Sequence, residues 1–182
     1  FVGNGFVNHN TLESIASLCY LWEREPDSKA IVLTKKSTVR QWADEFKRFT
    51  TDVTVIVCKG TPKQRAEARA LYESAKGPTV LVMGHRSAVQ DFSHIQDKEW
   101  GVFVLDEATI AKTPSTQIHQ VCRHLSAKAK RAWGLTATLI KNNLIEGYGI
   151  FRCIEPALFP QTLNVFIDDY CVTQLINVGR GR

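Results

Sequence analysis

The stretch VFVLDEATIAKT, which runs from Val102 to Thr113, decides the fold of this chain. It starts with four apolar residues and then ends abruptly in two adjacent carboxylates, Asp106 and Glu107. An apolar run of this length, without alternation, is typical of a strand that is buried on both faces. The stretch therefore predicts a buried strand with a polar site at its carboxyl end.

Helical and strand patterns alternate through the rest of the chain. Apolar residues recur at helical spacing in residues 11–25, 37–49, 61–76, 115–128 and 144–154. Short apolar runs predict strands in residues 29–34, 52–60, 78–85, 100–108 and 131–138. Apolar strands that alternate with helices predict an α/β fold, in which a parallel sheet is covered by helices on both faces.

Polar clusters directly follow four of these strands. The segments are TKKS after AIVL, GHRS after TVLVM, DEAT after VFVL and TAT after AWGL. The carboxyl ends of parallel strands share one edge of the sheet, and ligands bind outside that edge. We therefore expect the four clusters to meet there, and their coincidence is more informative than any one motif.

The composition is that of one globular domain with its own core, since 44% of the 182 residues are hydrophobic and 23% are charged. No apolar run reaches the roughly 18 residues of a membrane helix. The first ten residues, FVGNGFVNHN, lack the pattern of a signal peptide and do not begin with Met. The chain is therefore expected to be a soluble part of something longer.

The cysteines and the net charge indicate the setting and the partners. The cysteines are odd in number and form no C-x-x-C pair, which argues against a disulfide framework or a zinc site and favours a reducing cytoplasmic or nuclear setting. They are Cys19, Cys58, Cys122, Cys153 and Cys171. A net charge of +5 and a pI of about 9.0 fit a polyanionic partner, although many ordinary soluble proteins are this basic.

Two adjacent acids at a strand end have a specific chemical use. One carboxylate, Asp106, can hold a magnesium ion through its waters, while its neighbour, Glu107, orients a water that attacks a terminal phosphate. The alternative is a solvated pair of acids that caps the following helix. The first interpretation predicts a nucleotide and metal site, and the second predicts only a local structural role.

Beyond these residues, the chain resembles a known family. VLDEAT and GLTATLIKNNLIEGYGIFRCIEPALF resemble motifs II and III of superfamily 2 helicases, and most closely those of the Swi/Snf branch. IVLTKKSTVRQWADEFKRF is similar to motif Ia of that branch, and TVLVMGHRSAV is similar to motif Ib. The motifs stand in the family's order, and the resemblance extends from about Thr11 to Arg182.

The resemblance implies the first RecA-like lobe of a P-loop NTPase that acts on duplex DNA. Residues 1–170 would form this lobe, and residues 171–182 would begin the connection to a second lobe. ATP and magnesium would be the cofactors, with Asp106 and Thr11 on the metal and Glu107 positioning the hydrolytic water.

Motif III carries two hydroxyls that the resemblance makes coupling residues. Thr136 and Thr138 would contact the motif II carboxylates and report the nucleotide state to the DNA side. The alternative is that both hydroxyls satisfy backbone groups in a turn. Asn142 and Asn143 follow, and capping of the next helix is as good an interpretation of them as a functional role.

The chain departs from the family at two places in the nucleotide site. The fourth residue of the D-E-A-H box is Thr109 rather than histidine. Threonine can still donate a hydrogen bond but cannot carry a positive charge. A P-loop needs glycines, a lysine and a hydroxyl at fixed spacing. Here Thr11 takes the hydroxyl position, whereas His9 and Asn10 stand where glycine and lysine belong. Either the loop is lost, or the sequence lacks or alters residues at this junction.

The candidate DNA contacts are basic and hydroxyl side chains that follow the strands of motifs Ia and Ib. Such side chains suit phosphate contacts, which give affinity without reading the sequence. They are Lys35, Lys36, Ser37, His85, Arg86 and Ser87. The alternative is that each lies in a solvated loop, as we also expect for the basic segment HLSAKAKRAW.

Aromatic residues on the apolar stripes are expected in the core rather than as base-stacking platforms. This prediction covers Trp42, Phe46, Phe49 and Trp133. Ser37 or Thr38 is expected to cap the helix that carries the first of them.

The sequence therefore predicts the ATP-binding lobe of a DNA-dependent ATPase that translocates on duplex DNA. Because family members complete the site with arginines of a second lobe, this chain alone is expected to hydrolyse ATP negligibly. A non-catalytic lobe with a degenerate P-loop, which binds nucleic acid or protein, is the main alternative. An RNA helicase lobe is disfavoured, since those proteins usually carry Ser-Ala-Thr at motif III and this chain carries LTATLIKNNL.

Overall fold

The computed structural model describes residues 10–140, 143–159 and 162–171, together with the backbone of two short strands near the start of the chain. The strands are β1 Val2–Gly3, β2 Phe6–Val7, β3 Lys29–Thr34, β4 Thr54–Cys58, β5 Thr79–Gly84, β6 Trp100–Asp106 and β7 Ala129–Leu135. The helices are α1 Asn10–Trp22, α2 Val39–Phe49, α3 Pro62–Ser74, α4 His85–Gln90, α5 Phe92–Ile95, α6 Gln117–Ala127, α7 Leu144–Ile154 and α8 Leu163–Tyr170.

The main sheet has five parallel strands in the order β4-β5-β3-β6-β7. The register aligns the strand ends, since Thr34 pairs with Gly84 and Asp106 pairs with Leu135. The predicted α/β class and the parallel sheet are confirmed. The register also places the polar segments after β3, β5, β6 and β7 at one edge, as expected for a site there.

The two faces of the sheet bury separate cores. Successive residues of a strand point to opposite faces, so Ala30 and Val32 pack with α1 and α2, whereas Ile31 and Leu33 pack with the helices of the other face. Phe103 on the inner strand β6 is fully buried. The helices on both faces explain why the inner strands β3, β5 and β6 are largely apolar and buried, whereas the edge strand β7 carries the charged residues Lys130 and Arg131.

The structure corrects several local predictions. Phe49 was expected in the core, but it lies at the carboxyl end of α2 and is 44% exposed, with the Arg48 guanidinium over its ring. Trp42 and Phe46 are buried as predicted, and Trp133 is half-buried. The sequence pattern missed α4, α5 and α8, because their short apolar patterns give too few turns to show a helical period.

The two capping predictions had different outcomes. Thr38 precedes α2, but its side chain makes no capping bond and its hydroxyl instead donates to the carbonyl of Lys35 at 3.0 Å. The Asn143 side chain caps α7 by accepting a hydrogen bond from the backbone N–H of Glu146 at 3.2 Å. Asn142, His9 and residues 172–182 lie outside the described residues.

In the part of the chain that the structure describes, no helix has both the length and the apolar character needed to span a membrane.

Candidate functional site

Asp106 ends β6 with its carboxylate already held by the protein. Its Oδ2 accepts hydrogen bonds from the Thr34 hydroxyl at 2.5 Å and from the Trp42 indole N–H at 2.9 Å. Its Oδ1 accepts one from the backbone N–H of Glu107 at 3.0 Å. Donors from three elements fix the orientation of this carboxylate, and Oδ1 retains a further lone pair for a water or a cation.

Glu107 is held in a different way. Its backbone has φ 54° and ψ 53°, in the left-handed region, and it is the one non-glycine residue with positive φ among those described. This turn directs the chain from β6 into a 3₁₀ turn, Ala108–Ala111. The Glu107 side chain reaches the ammonium group of Lys35 at 2.9 Å, and the two side chains are 42% and 55% exposed. The carboxylate is therefore accessible and paired with one exposed ammonium group.

His85 joins the end of β5 to the end of β6. Its Nε2 lies 3.0 Å from the backbone carbonyl of Asp106, and because a carbonyl can only accept, Nε2 carries the proton. Burial lowers the pKa of His85, which is opposed by the hydrogen bond to Asp106. The imidazole is therefore a neutral donor, and it stands between the two strand ends rather than in open solvent.

Helices α6 and α7 hold the turn that follows Asp106 and Glu107. His119 Nδ1 donates to the carbonyl of Ala111 at 2.8 Å, and the Lys112 ammonium donates to Glu146 at 2.7 Å. Gly149 of α7 packs so closely that a Cβ atom there would overlap the carbonyl oxygen of Lys112. These contacts join the segment that follows motif II to the helix that follows motif III.

The threonines of motif III lie at the end of β7. The Thr136 hydroxyl donates to the carbonyl of Thr138 at 3.1 Å and accepts from the backbone N–H of Thr138 at 3.2 Å. These are local bonds within a turn, which is the alternative that the sequence left open. A contact with the carboxylates stays a prediction.

Two cavities meet at Thr136. The carboxylate cavity, of about 400 Å³, is lined by Lys35, His85, Glu107, Thr109, Ile110, Lys112, Thr136, Ala137, Thr138 and Glu146. The α1 cavity, of about 460 Å³, is lined by Asn10, Glu13, Ser14, Ser17, Trp133, Gly134, Leu135 and Thr136. The amino end of α1 and the motif II acids therefore face adjoining spaces at one edge of the sheet.

A basic groove of about 760 Å³ lies beyond the ends of β3, β4 and β5. Its lining residues are Lys36, Val39, Val57, Lys59, Gly60, Gln64, Arg65, Gly84, Arg86, Ser87 and Gln90. Lys36 and Arg86 are exposed, so their charges are available to a polyanion. Each of these two residues follows a different parallel strand, which is why the fold brings them together.

Beneath the groove, a buried ion cluster ties α3 to the end of α4. The Arg65 guanidinium donates to both oxygens of Asp91 at 2.9 Å and to the carbonyl of Gly60 at 2.9 Å. Arg69 also donates to Asp91. The side chains of Arg65, Arg69 and Asp91 are 9%, 10% and 6% exposed. This cluster fixes one wall of the groove.

The chain matches a family model over nearly its whole length. The model describes the SNF2-related domain, and it matches residues 9–173. The chain belongs to the SNF2-related domain family. The resemblance to the Swi/Snf branch that motifs II and III indicated is therefore confirmed.

Relatives of this SNF2-related domain include much longer proteins. It is 26% identical over 166 residues to the zebrafish (Danio rerio) protein named Chromodomain-helicase-DNA-binding protein 1-like, covering 90% of this chain and 16% of that protein. It is 30% identical over 156 residues to human Chromatin-remodeling ATPase INO80, covering 82% of this chain and 10% of that protein. The chain thus spans a sixth or less of the length of these relatives.

A solved structure confirms the fold of the SNF2-related domain. The Sulfolobus solfataricus SWI2/SNF2 ATPase core in complex with dsDNA superposes with a TM-score of 0.73 at 21% identity. The match covers 89% of this chain and 32% of that one. The RecA-like fold predicted from the motifs is therefore confirmed.

The fold distributes the predicted site residues of the SNF2-related domain over three places. The carboxylate cavity receives Lys35, His85, Glu107, Thr109, Thr136 and Thr138, and Asp106 lies directly behind it. Asn10 and Thr11 begin α1, and Asn10 lines the α1 cavity. Lys36, Arg86 and Ser87 line the basic groove, whereas Ser37 is exposed in the turn before α2.

Sequence reasoning missed three residues of these cavities. Lys59 follows β4 immediately, so the rule that polar residues after parallel strands share one edge would have found it. Lys112 and Glu146 lie 34 positions apart and meet only through the packing of α7. No local pattern marks that pair.

Proposed function

We propose that this chain is the ATP-binding lobe of a DNA-dependent ATPase that moves along duplex DNA. The observation that carries the proposal is the meeting of the two cavities at Thr136, since the amino end of α1 lines one cavity and Glu107 lines the other. Helix amino ends favour phosphate, and carboxylates favour a metal and a water. Adjoining cavities with these two chemical properties at one edge of the sheet support a nucleoside triphosphate site.

Magnesium suits this site as an ion that keeps most of its own waters. Among the described residues, no cluster of three or more histidine, cysteine or acidic side chains could hold a metal by itself. Asp106 has a free lone pair on Oδ1 and Thr11 offers a hydroxyl, so these two would hold the ion alongside phosphate oxygens. When bound, the ion would neutralise charge that develops on the phosphates.

Glu107 is the residue that would act on water. Its carboxylate is 42% exposed and faces the carboxylate cavity, unlike that of Asp106, whose oxygens already accept bonds from three donors. By accepting a hydrogen bond from a water, Glu107 would align that water for attack on the terminal phosphorus. The bond from phosphorus to the bridging oxygen then breaks, and ADP and phosphate leave.

The basic groove is the proposed DNA contact. Lys36, Lys59 and Arg86 offer three exposed cations around this cavity, whereas Arg65, which also lines it, is already paired with Asp91. Such contacts bind the phosphate backbone and do not distinguish sequences. Support comes from the matching Sulfolobus core, which was solved in complex with dsDNA.

We also propose that the site is completed by a second lobe. The human relative that matches is named a chromatin-remodeling ATPase, and this chain covers 10% of it. The same proposal predicts a cytoplasmic or, in a eukaryote, nuclear protein. This chain alone should hydrolyse ATP negligibly, because members of the family complete the site with arginines of the second lobe, which would stabilise the transferring phosphoryl group.

One observation favours a second candidate, a lobe that binds DNA or protein without hydrolysis. His9 and Asn10 stand where a P-loop has glycine and lysine. A lysine at that position reaches the outer phosphates, and asparagine carries no charge. In that case the basic groove would operate without the nucleotide site.

Hydrolysis by the full-length protein separates the two candidates. We expect duplex DNA to stimulate its ATPase activity more than RNA of equal length does. Glu107→Gln should reduce turnover by about 10²-fold and leave the binding of fluorescent ATP unchanged, because only the alignment of water is lost. The same substitution at exposed Glu67, which lines none of the three cavities described above, serves as the matched control.

Absence of ATP binding by the full-length wild-type protein, together with normal DNA binding, would overturn the proposal and support the non-catalytic lobe.

A further inference from the structure

The ammonium group of Lys35 is paired with the carboxylate of Glu107, the group that the proposed function needs for aligning a water. Lys35 lies 2.9 Å from Oε1 of Glu107, within the carboxylate cavity. Its neighbour in sequence, Lys36, instead lines the basic groove. The two lysines that follow β3 therefore serve two different cavities, and Lys35 stands at the boundary between them.

We propose that Lys35 exchanges between Glu107 and a phosphate of bound duplex DNA, so that DNA releases Glu107 to act on water. The inference rests on the proposed function and adds a way in which DNA would regulate the same site. Without DNA, Lys35 keeps Glu107 occupied. With DNA, the phosphate takes over the cation, and the carboxylate becomes available.

The strength of the pair suits an exchange. Both side chains are substantially exposed, at 55% and 42%, and ion pairs this exposed contribute little to stability. The lysine stem is flexible and carries a point charge that binds phosphate and carboxylate alike. A modest competitor can therefore displace Glu107, which would be impossible for a buried and multiply bonded pair.

The environment leaves Lys35 one route to a new partner. Within the carboxylate cavity, Nε2 of His85 donates to the carbonyl of Asp106, so this nitrogen is not an acceptor for Lys35. On the other side, Lys36 and Arg86 attract a phosphate backbone to the groove. A polyanion held there brings acceptors to the side of Lys35 that Glu107 does not occupy.

Pairing with Lys35 would also keep the Glu107 carboxylate from acting on water before DNA binds. The bond from the Lys35 ammonium group takes one lone pair of Oε1 and holds the carboxylate in one orientation, so the carboxylate is not free to turn towards a water. Asp106 does not share this arrangement, since its donors are a hydroxyl, an indole and a backbone N–H that cannot leave. The exchange therefore controls Glu107 and leaves Asp106 in place.

The exchange makes a prediction about DNA affinity that needs no hydrolysis. If Glu107 competes with phosphate for Lys35, removing the carboxylate must strengthen DNA binding, because the coupling between the two partners is reciprocal. In the full-length protein we expect Glu107→Gln to raise the affinity for a short fluorescent duplex about two- to fivefold, measured by anisotropy without nucleotide.

The double variant identifies the cause. A general loss of negative charge near DNA would raise the affinity in any background. Release of Lys35 predicts instead that Glu107→Gln has no effect when Lys35→Met is already present. An equal gain in both backgrounds would overturn the proposal.

Turnover gives the second readout. Lys35→Met should raise the rate of ATP hydrolysis without DNA and reduce the ratio by which DNA stimulates it. Lys76→Met, which removes the same charge before β5 at the opposite edge of the sheet, should change neither value. If DNA stimulates the wild-type protein but Lys35→Met hydrolyses ATP without DNA at the wild-type rate, the exchange is refuted.

The two proposals fail separately. Wild-type protein without any ATP binding or hydrolysis would contradict the proposed function, whereas the affinity cycle on DNA would still report on Lys35. A stimulated ATPase with additive effects of Glu107→Gln and Lys35→Met on DNA affinity would retain the function and remove the exchange.

Discussion

Two ion-pair systems lie close together at the same edge of the sheet, and they differ in almost every physical respect. In the first, Arg65 and Arg69 enclose Asp91, with all three side chains at 10% exposure or less. In the second, Lys35 and Glu107 meet in the open, with about half of each side chain exposed. The first uses guanidinium forks and several bonds, whereas the second uses one ammonium group and one bond.

The difference shows how one edge can be both rigid and responsive. Charges that are buried together cannot separate without a large desolvation cost, so the cluster around Asp91 holds α3 against α4. Charges that remain in water exchange partners at low cost. The wall of the basic groove is therefore fixed, while the cation beside Glu107 is free to move.

The largest expected effect comes from breaking the buried system. Asp91→Ala leaves two buried guanidinium groups without their carboxylate, and we expect a loss of about 3–5 kcal/mol in the free energy of unfolding. Breaking the exposed pair with Glu107→Gln should change that free energy by less than about 1 kcal/mol. Urea denaturation of both variants measures the difference. Similar losses in the two variants would show that burial does not separate the systems.

A second pair of substitutions tests whether the turn that carries Glu107 belongs to the rigid part. Gly149→Ala would drive a Cβ into the carbonyl of Lys112, and we expect it to cost about 1–3 kcal/mol of stability. Gly147→Ala, in the same helix, meets only the Ile140 side chain at 3.4 Å. It should be neutral or should stabilise by up to about 1 kcal/mol through helix propensity.

Thermal denaturation of the two glycine variants gives the comparison. If Gly149→Ala proves as mild as Gly147→Ala, α7 can shift away from the turn, and the turn is not part of the rigid edge.

The smallest expected effect is a dependence of stability on pH. Burial lowers the pKa of both His85 and His119 below its ordinary value of 6.5. The unfolded chain therefore takes up protons first as the pH falls below about 6.5, so stability is complete above that pH and is lost below it. Replacing His119 with asparagine should flatten the decline, as measured by urea denaturation between pH 7.5 and about 5. An unchanged decline would exclude His119 as a source.

The sequence was sufficient for the sheet and for the position of Asp106 and Glu107. Uniformly apolar strands fixed the class, and the common edge of parallel strands placed the polar residues together. The partners of those residues were not predictable. Lys35 was expected to contact DNA, but its side chain turns towards Glu107, a choice of rotamer that no sequence pattern records.

Long-range pairs were beyond the sequence for a related reason. Asp91 lies 26 and 22 positions from its two arginines, and the three meet because β4 and β5 are neighbours in the sheet. His85 gave a similar surprise, since burial makes it a neutral link between strands rather than an exposed contact. Phe49 was misplaced because a helical stripe runs past the edge of the core.

The left-handed backbone at Glu107 has a consequence for how this fold balances two demands. A side chain with a Cβ at φ 54° costs about 1–2 kcal/mol that glycine would not. A glycine at position 107 would make the protein more stable, but it would remove the more accessible of the two adjacent carboxylates, Asp106 and Glu107. Under the proposed function, glutamate at this position would trade folding stability for chemistry, as expected where selection acts on activity above a stability threshold. Attempts to engineer thermostability into this domain should therefore leave position 107 alone, although it is where backbone strain is easiest to remove.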